Sequence, residues 1–328
     1  MKLSMVSVPH THDHLRALKQ VGVDYIVHYN MQDLPESLDE LQLIRDQYSQ
    51  FGLAWKVAES GPAVDQIVLG KAGAAAQIER YKRVVENLGK VGVDVIVYNF
   101  MPQVSGDAMV VRTSFDARTR GGARTSRFRV TDLTAETLRH TEMAISRDQM
   151  WDNLERFLRS VLPVAEAAGV RLAIHPDDPP MSPLCGLERI MDREDSFVRL
   201  FSISSSPANA LTFCVGCFAE LGSDVLALLE RFRERIACVH LRNIAGMPHD
   251  FIETFPDEGD LDLVAVVRKL HEINFSGYLR SDHAPQLDTD RKAELDGYGT
   301  QGHLFAIGYL RGLIQATAPR FLLSNTGV

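Results

Sequence analysis

The sequence predicts an α/β protein of the eight-stranded (β/α)8, or TIM, barrel class, and three observations carry that prediction. A helix end, a glycine and a short apolar run meet at "VGVDYIV" (21–27), "FGLAWKV" (51–57), "VGVDVIV" (91–97) and "AGVRLAI" (168–174). Glycine is the usual residue where a helix stops, so each join reads as helix, stop, buried strand. Four β-branched runs without that join, "LSMVSV" (3–8), "LTFCVG" (211–216), "IACVHL" (236–241) and "GYLRSD" (277–282), bring the strands to eight. Amphipathic stretches separate them throughout, and near-continuous apolar strands alternating with helices indicate a closed parallel sheet covered on its outer face.

Taken in order, helices are expected at about 12–20, 36–50, 74–90, 148–168, 186–200, 222–234, 261–273 and 302–316. The rival, a doubly wound open sheet, usually carries a glycine-rich phosphate turn after its first strand, and "VPHTHDH" (8–14) has no glycine. Residues 1–328 therefore form one catalytic barrel domain. One connection is out of proportion. Strand four ends near Phe100 and the next helix begins near Asp148, so about 100–147 make a long loop excursion on the face where loops carry function. It holds Arg112, Arg118, Arg120, Arg124, Arg127 and Arg129, with Gly121 and Gly122 for a turn. Two readings stay open: a solvated hairpin-like excursion, or an active-site lid or subunit contact that brings guanidinium groups to an anionic ligand and makes a homo-oligomer.

Lys+Arg 35 against Asp+Glu 43 gives a net charge of −8, which argues against a whole-surface nucleic-acid binder and points to a small-molecule partner. The opening MKLSMVSVPH lacks the apolar stretch of a signal peptide, and no run of about 18 apolar residues spans a membrane, so a cytoplasmic location is expected. Four cysteines, Cys185, Cys214, Cys217 and Cys238, are too few for a disulfide scaffold in a chain this long.

Active sites of such barrels are built from the C-terminal ends of the strands. There stand His175 in "LAIHPDDPP", Cys214 in "LTFCVG", His240 in "VHLRN" and Asp282 in "RSDH", on four successive strands. A lone buried His or Cys is usually ordinary core, but Asp is rarely buried without a partner, and four strand ends bearing ligand types together point to a divalent metal. The "CVGC" string offers a CxxC reading with Cys217, but no second pair completes a structural zinc site. Alternation places Tyr278, Arg280 and Asp282 on one side of a strand, and His240 with Arg242 on another, so cations line the mouth beside the metal and suit a carboxylate substrate. Asp177 or Asp178 either orients His175 or simply belongs to a turn, and Asn99 either bonds a polyol or forms an Asx turn.

These strings resemble those of the mannonate dehydratase family, of the xylose-isomerase-like TIM barrel superfamily. The matching segments are "ES" (59–60), "YNFMP" (98–102), "RT" (112–113), "VAEAAGVRLAIHPDDPP" (164–180), "GLERI" (186–190), "TFC" (212–214), "HLRN" (240–243), "DH" (282–283) and "GY" (297–298), so the resemblance runs over nearly the whole chain. It implies a hydro-lyase that uses Mn2+ to remove water from D-mannonate, giving 2-keto-3-deoxygluconate in hexuronate catabolism. It implies His175, Cys214, His240 and Asp282 as ligands, with Asn99, Arg112, Arg242, Arg280, Asp177 and Asp178 facing a sugar acid. It points to Tyr298 and His283 as acid and base, in either order. Ligand softness alone leaves Fe2+ or Zn2+ open, so manganese rests on the resemblance.

Some family features differ. Pro256 stands where a histidine of an "FxExxH" pattern would fall after Phe251 and Glu253, with His249 as a nearby substitute. Val110 and Val111 replace a tryptophan before "RT", and Ser281 replaces a proline. The alternatives are a sugar isomerase or epimerase, which the thiolate disfavours, and a catalytically weakened sugar-acid-binding paralogue.

Overall fold

The computed structural model describes residues 1–29, 33–59, 61–102, 111–133, 144–290 and 295–319. In chain order these form β1 (Lys2–Val6), α1 (His12–Gln20), β2 (Tyr25–Tyr29), α2 (Leu38–Ser49), β3 (Ala54–Glu59), α3 (Asp65–Val68), α4 (Ala74–Val91) and β4 (Val95–Tyr98). Then come β5 (Ser114–Arg118), β6 (Arg124–Arg129), α5 (Arg147–Ala168), β7 (Arg171–Ile174), α6 (Glu194–Ile203), β8 (Asn209–Cys214), α7 (Val215–Glu220) and α8 (Val225–Phe232). The chain closes with β9 (Ile236–Leu241), β10 (Asn243–Met247), β11 (Asp250–Thr254), α9 (Leu263–Glu272), β12 (Tyr278–Ser281) and α10 (Thr300–Thr317).

The eight strands expected from the sequence close in the order β1-β12-β9-β8-β7-β4-β3-β2, every pair parallel. The glycine joins act as read: Gly92 and Gly169 end α4 and α5 at φ 89 and φ 70, left-handed values that cost a residue with a Cβ atom. Register then decides what faces the barrel axis, because paired residues project to one side and the side alternates along each strand. Glu59 pairs with Val97, Val97 with Ala173, Cys214 with His240, and His240 with Arg280. Two residues on from Val97, Ala173 and Arg280 lie Asn99, His175 and Asp282. The C-terminal mouth is thereby lined with polar groups, while the other end carries Tyr278 bonded to Asp94, with Lys56 Nζ 3.2 Å from the same carboxylate.

Two helical expectations changed. Residues 186–193 are a buried loop, not the start of α6. Leu187, Ile190 and Met191 are buried, but the Asp177 carboxylate accepts from Met191 N and the Ser182 hydroxyl from Arg189 N, bonds that tie a turn to the preceding loop. The expected 222–234 helix is α8, which begins after Asp224 caps Ala227 N, with α7 as a separate short helix before it.

The stretch after β4 holds secondary structure of its own. β5 and β6 form an antiparallel hairpin that joins β10 and β11 in a second sheet of order β10-β11-β6-β5. Phe128 of β6, Phe251 of β11 and Ile244 of β10 share a small core with Val111, Leu184 and Cys185, which seats this sheet beside the mouth. Residues 103–110 and 134–143 of the excursion, Val110 among them, lie outside the described residues, as does Ser60 of the "ES" string.

Candidate metal centre and active site

The four strand ends meet. One ligand atom from each of His175, Cys214, His240 and Asp282 lies within 4.8 Å of the others, and all four residues are buried. Cys214 Sγ is 3.6 Å from Asp282 Oδ2, and His240 Nδ1 is 3.5 Å from Asp282 Oδ1.

The donor set fits a divalent cation on the condition of its atoms. His175 Nδ1 lies 2.7 Å from the Pro176 carbonyl and donates to it, which leaves Nε2 as the ring nitrogen open to a cation once it gives up its proton. His240 Nε2 accepts from Arg280 Nε at 3.1 Å, and His240 Nδ1 is buried with no hydrogen-bond partner among the described residues. Burial and the nearby Arg280 charge hold His240 well below its ordinary pKa, so the ring is neutral. Burial alone would raise the Cys214 thiol, but the Cys217 hydrogen bond and the Arg242 charge outweigh it and bring it down to about 6. Burial would likewise lower His175, yet its bond to Cys214 and the Asp282 charge lift it to about 9, so thiolate beside imidazolium is the favoured pairing. A cation in this pocket would take the place of the imidazolium proton.

The sequence left His175 to be oriented by Asp177 or Asp178. The Pro176 carbonyl does this instead, because both carboxylates are engaged elsewhere. Asp177 holds Met191 N at 2.7 Å, and burial pushes its pKa up to about 6. Asp178 accepts from Arg112 Nη1 at 2.7 Å and Arg242 Nη1 at 2.8 Å.

Those arginines belong to a buried charge network under the metal ligands. Arg242 also donates to Glu253 Oε1 (3.0 Å), Glu220 Oε1 (2.7 Å) and Cys217 Sγ (3.3 Å). Arg112 donates to Glu253 Oε1 at 2.6 Å, and Arg280 bridges Glu59 Oε1 (2.7 Å) and Asp282 Oδ1 (3.1 Å). The side chains of Arg112 and Arg242 are 0% exposed, so their charges act as fixed groups inside the protein. Burial and the Asp178 charge hold the Glu220 pKa well above the carboxylate range, which makes it a neutral acid. Two guanidinium groups then face two carboxylates, Asp178 and Glu253.

Of the other arginines in the excursion, Arg120 pairs with Asp257 at 2.8 Å, Arg124 with Asp296 at 3.0 Å, and Arg127 with Asp250 at 2.9 Å. These are partly exposed ion pairs. Arg129 also reaches Asp250, at 3.2 Å. Arg118 Nη1 donates to the Gly122 carbonyl at 3.0 Å, within the hairpin turn.

Sequence reasoning missed Gly216, Glu220 and Glu59. The space for Arg242 depends on Gly216, where an added Cβ would stand 2.4 Å from Arg242 Nε. Gly216→Ala gains helix propensity of about 1 kcal/mol, but overpacking a tight site costs about 1–3 kcal/mol. A net loss of stability is expected in urea titration, and an unchanged or raised midpoint would show that Arg242 moves aside freely. Glu59 ends β3, and period-two alternation from Val57 would have placed it inside; its Oε2 is buried without a hydrogen-bond partner among the described residues, 3.8 Å from His240 Nε2.

At the rim, His283 Nδ1 is 2.9 Å from Glu253 Oε1, and the Glu253 and Asp282 charges raise its pKa against the opposing effect of burial. Its ring meets Tyr298 edge-on at 5.4 Å, and Tyr298 stacks on Tyr29 at 5.5 Å. Burial holds the Tyr298 phenol well above its ordinary pKa, so it keeps its proton. Asn99 is half-buried directly after β4. His249 is exposed in the β10–β11 turn at φ 72, where it offers no ring to this cluster.

Comparison with known proteins agrees with this geometry. The family model described as D-mannonate dehydratase (UxuA) matches residues 8–140 and 132–321. The chain belongs to the D-mannonate dehydratase family. Family membership makes it a carbon–oxygen hydro-lyase. A mannonate dehydratase of Shouchella clausii is 32% identical over 339 residues, covering 92% of this chain and 93% of the relative. Mannonate dehydratase 1 of Bacillus licheniformis is 32% identical, covering 89% and 87%. The crystal structure of mannonate dehydratase from Streptococcus suis superimposes with a TM-score of 0.86 at 32% identity over 97% of this chain and 95% of that one. An L-ribulose 3-epimerase at 15% identity and TM-score 0.63 shares the xylose-isomerase-like barrel fold alone.

Proposed function

We propose that the protein removes water from D-mannonate to give 2-keto-3-deoxygluconate, in a manganese-dependent reaction of hexuronate catabolism. The observation that carries this reading is the convergence of His175, Cys214, His240 and Asp282 on one pocket, in a chain of this family. Those four residues would hold the divalent ion, which when bound supplies Lewis-acid stabilisation of negative charge on the substrate's carboxylate side.

The reaction needs a base for the proton on carbon 2 and an acid for the hydroxyl leaving carbon 3; the resulting enol then tautomerises. Glu253 holds the Nδ1–H of His283, which leaves Nε2 as the nitrogen that takes the carbon 2 proton once the ring is neutral. Tyr298, still a phenol, donates its proton to the departing hydroxyl. Tyr29 keeps that phenol in place by stacking on it. Asn99, inward-facing at the end of β4, bonds a substrate hydroxyl. Arg112, Arg242 and Arg280 lend positive potential from beneath the pocket, and Asp177 and Asp178 fix the loop that carries His175.

Incubation of the purified protein and manganese with D-mannonate is expected to generate a 2-keto-3-deoxy acid, detected by periodate–thiobarbiturate colour and mass spectrometry. A product isomeric with the substrate, with no loss of water, would reject the lyase reading of this site.

A further inference from the structure

Three rings surround Tyr298 among the described residues. Tyr29 stacks on it, His283 meets it edge-on, and His303 of α10 lies against it with centroids 5.6 Å apart and planes at 39°. His303 is 0% exposed, so it stands behind the phenol and out of a substrate's reach. Its Nδ1 is 2.7 Å from Ser281 Oγ, while Nε2 meets no hydrogen-bond partner among the described residues.

Ser281 is the residue between Arg280 and Asp282, so alternation turns its side chain away from the barrel axis and toward the helix layer, where α10 packs on β12. Gly302, next to His303, has no room for a side chain, because an added Cβ would stand 2.1 Å from the Pro285 carbonyl oxygen. The first turn of α10 is therefore pressed against the chain just past His283. Ala284 N donates to the Gly297 carbonyl at 3.0 Å, which ties the residue after His283 to the residue before Tyr298.

We propose that His303 is a positioning residue for the dehydration, holding Tyr298 and His283 at their working separation through its ring and through its bond to Ser281. The inference rests on the reading of Tyr298 as the proton donor. Its physical basis is distance. A proton passes between heavy atoms about 2.6–3.2 Å apart, and a misplacement of about 1 Å costs on the order of 100-fold in rate. The Tyr298 hydroxyl sits at the far end of its ring, so a small tilt of the ring moves the oxygen most. Loss of the His303 ring opens a void beside Tyr298 and leaves Tyr29 to hold the phenol from one face.

The test is a double-mutant cycle on the full-length protein, read by turnover of D-mannonate with manganese. His303→Ala is expected to lower kcat by about 30- to 100-fold, with KM changed by less than about 3-fold. Manganese binding should stay as in the native protein. His303→Phe, which returns a ring to the face of Tyr298, should recover much of the loss, and Ser281→Ala should cost about 3- to 10-fold. In a Tyr298→Phe background no phenolic proton remains to be placed, so adding His303→Ala should lower kcat no further. Equal losses in both backgrounds, or no loss in either, make His303 ordinary core and overturn the proposal. Undiminished turnover by Tyr298→Phe alone rejects the proton-donor reading instead. Amide hydrogen exchange needs no turnover: His303→Ala should speed exchange at Ala284 by at least about 10-fold while the amides of β9 keep their native rates. Exchange that rises everywhere together, or nowhere, overturns the proposal whatever becomes of the Tyr298 reading.

Discussion

Replacing Cys214 or His240 by alanine is expected to weaken manganese binding by more than about 100-fold, since even groups behind the ligands are worth about 10–100-fold. Each substitution removes one of four convergent donors. Loss of the His240 ring removes a buried ring nitrogen, Nδ1, that meets no hydrogen-bond partner among the described residues, and loss of the Cys214 sulfur removes an anion already held near pKa 6. Turnover of D-mannonate should fall by at least about 1,000-fold, roughly 4 kcal/mol of transition-state stabilisation. The measurement is manganese per protomer after dialysis against a fixed free concentration, alongside circular dichroism to show that the barrel persists. Full occupancy in a folded Cys214→Ala or His240→Ala protein contradicts the assignment.

Much of this site was legible in the sequence because barrel topology does the assembling. Once eight strands are recognised, period-two alternation and the rule that function sits at C-terminal strand ends bring His175, Cys214, His240 and Asp282 together, although up to 107 residues separate His175 from Asp282 in the numbering. The same logic oriented Arg242 and Arg280 inward. It did not say what they would meet. A guanidinium pointing into a mouth reads as a clamp for a carboxylate substrate, whereas the structure places Asp178, Glu220 and Glu253 against Arg242 first.

Those partners were hidden for physical reasons. Glu253 arrives on β11, a strand of the second sheet, whose pairing with β6 depends on contacts between segments more than 120 residues apart, as in Phe251 with Phe128. No local pattern announces such a pairing. Glu220 sits in a six-residue helix, too short for helical periodicity to register. Residues 186–193 misled for the opposite reason: Leu187, Ile190 and Met191 have helical spacing, but side-chain bonds to Met191 N and Arg189 N hold them in a loop.

The network beneath the ligands yields the largest stability prediction. Arg242→Met should lower unfolding free energy by about 3–5 kcal/mol, the usual consequence of removing one side of a buried ion pair. Methionine approximates the volume of the stem, so the loss reports charge more than a cavity. Asp178 and Glu253 would then share one guanidinium, Arg112, with His283 still beside Glu253. Glu220→Gln should cost less than about 1 kcal/mol, because burial already keeps that carboxyl protonated and an amide replaces an acid that carries no charge. The pH dependence separates charge from packing. In the native protein the Arg112 and Arg242 charges overcome burial and hold Asp178 far below the ordinary carboxylate range, and the same guanidinium groups with His283 do so for Glu253. Carboxylates with depressed folded pKa values contribute stability that is fully present above about pH 4–5, their unfolded range, and is lost as pH falls below it. Arg242→Met forfeits much of that depression. Urea unfolding followed from pH 7 to pH 3 should therefore show the difference between native and Arg242→Met proteins narrowing with acidity, whereas a difference that stays constant across the range would mean that Arg242 stabilises by packing and not by its charge.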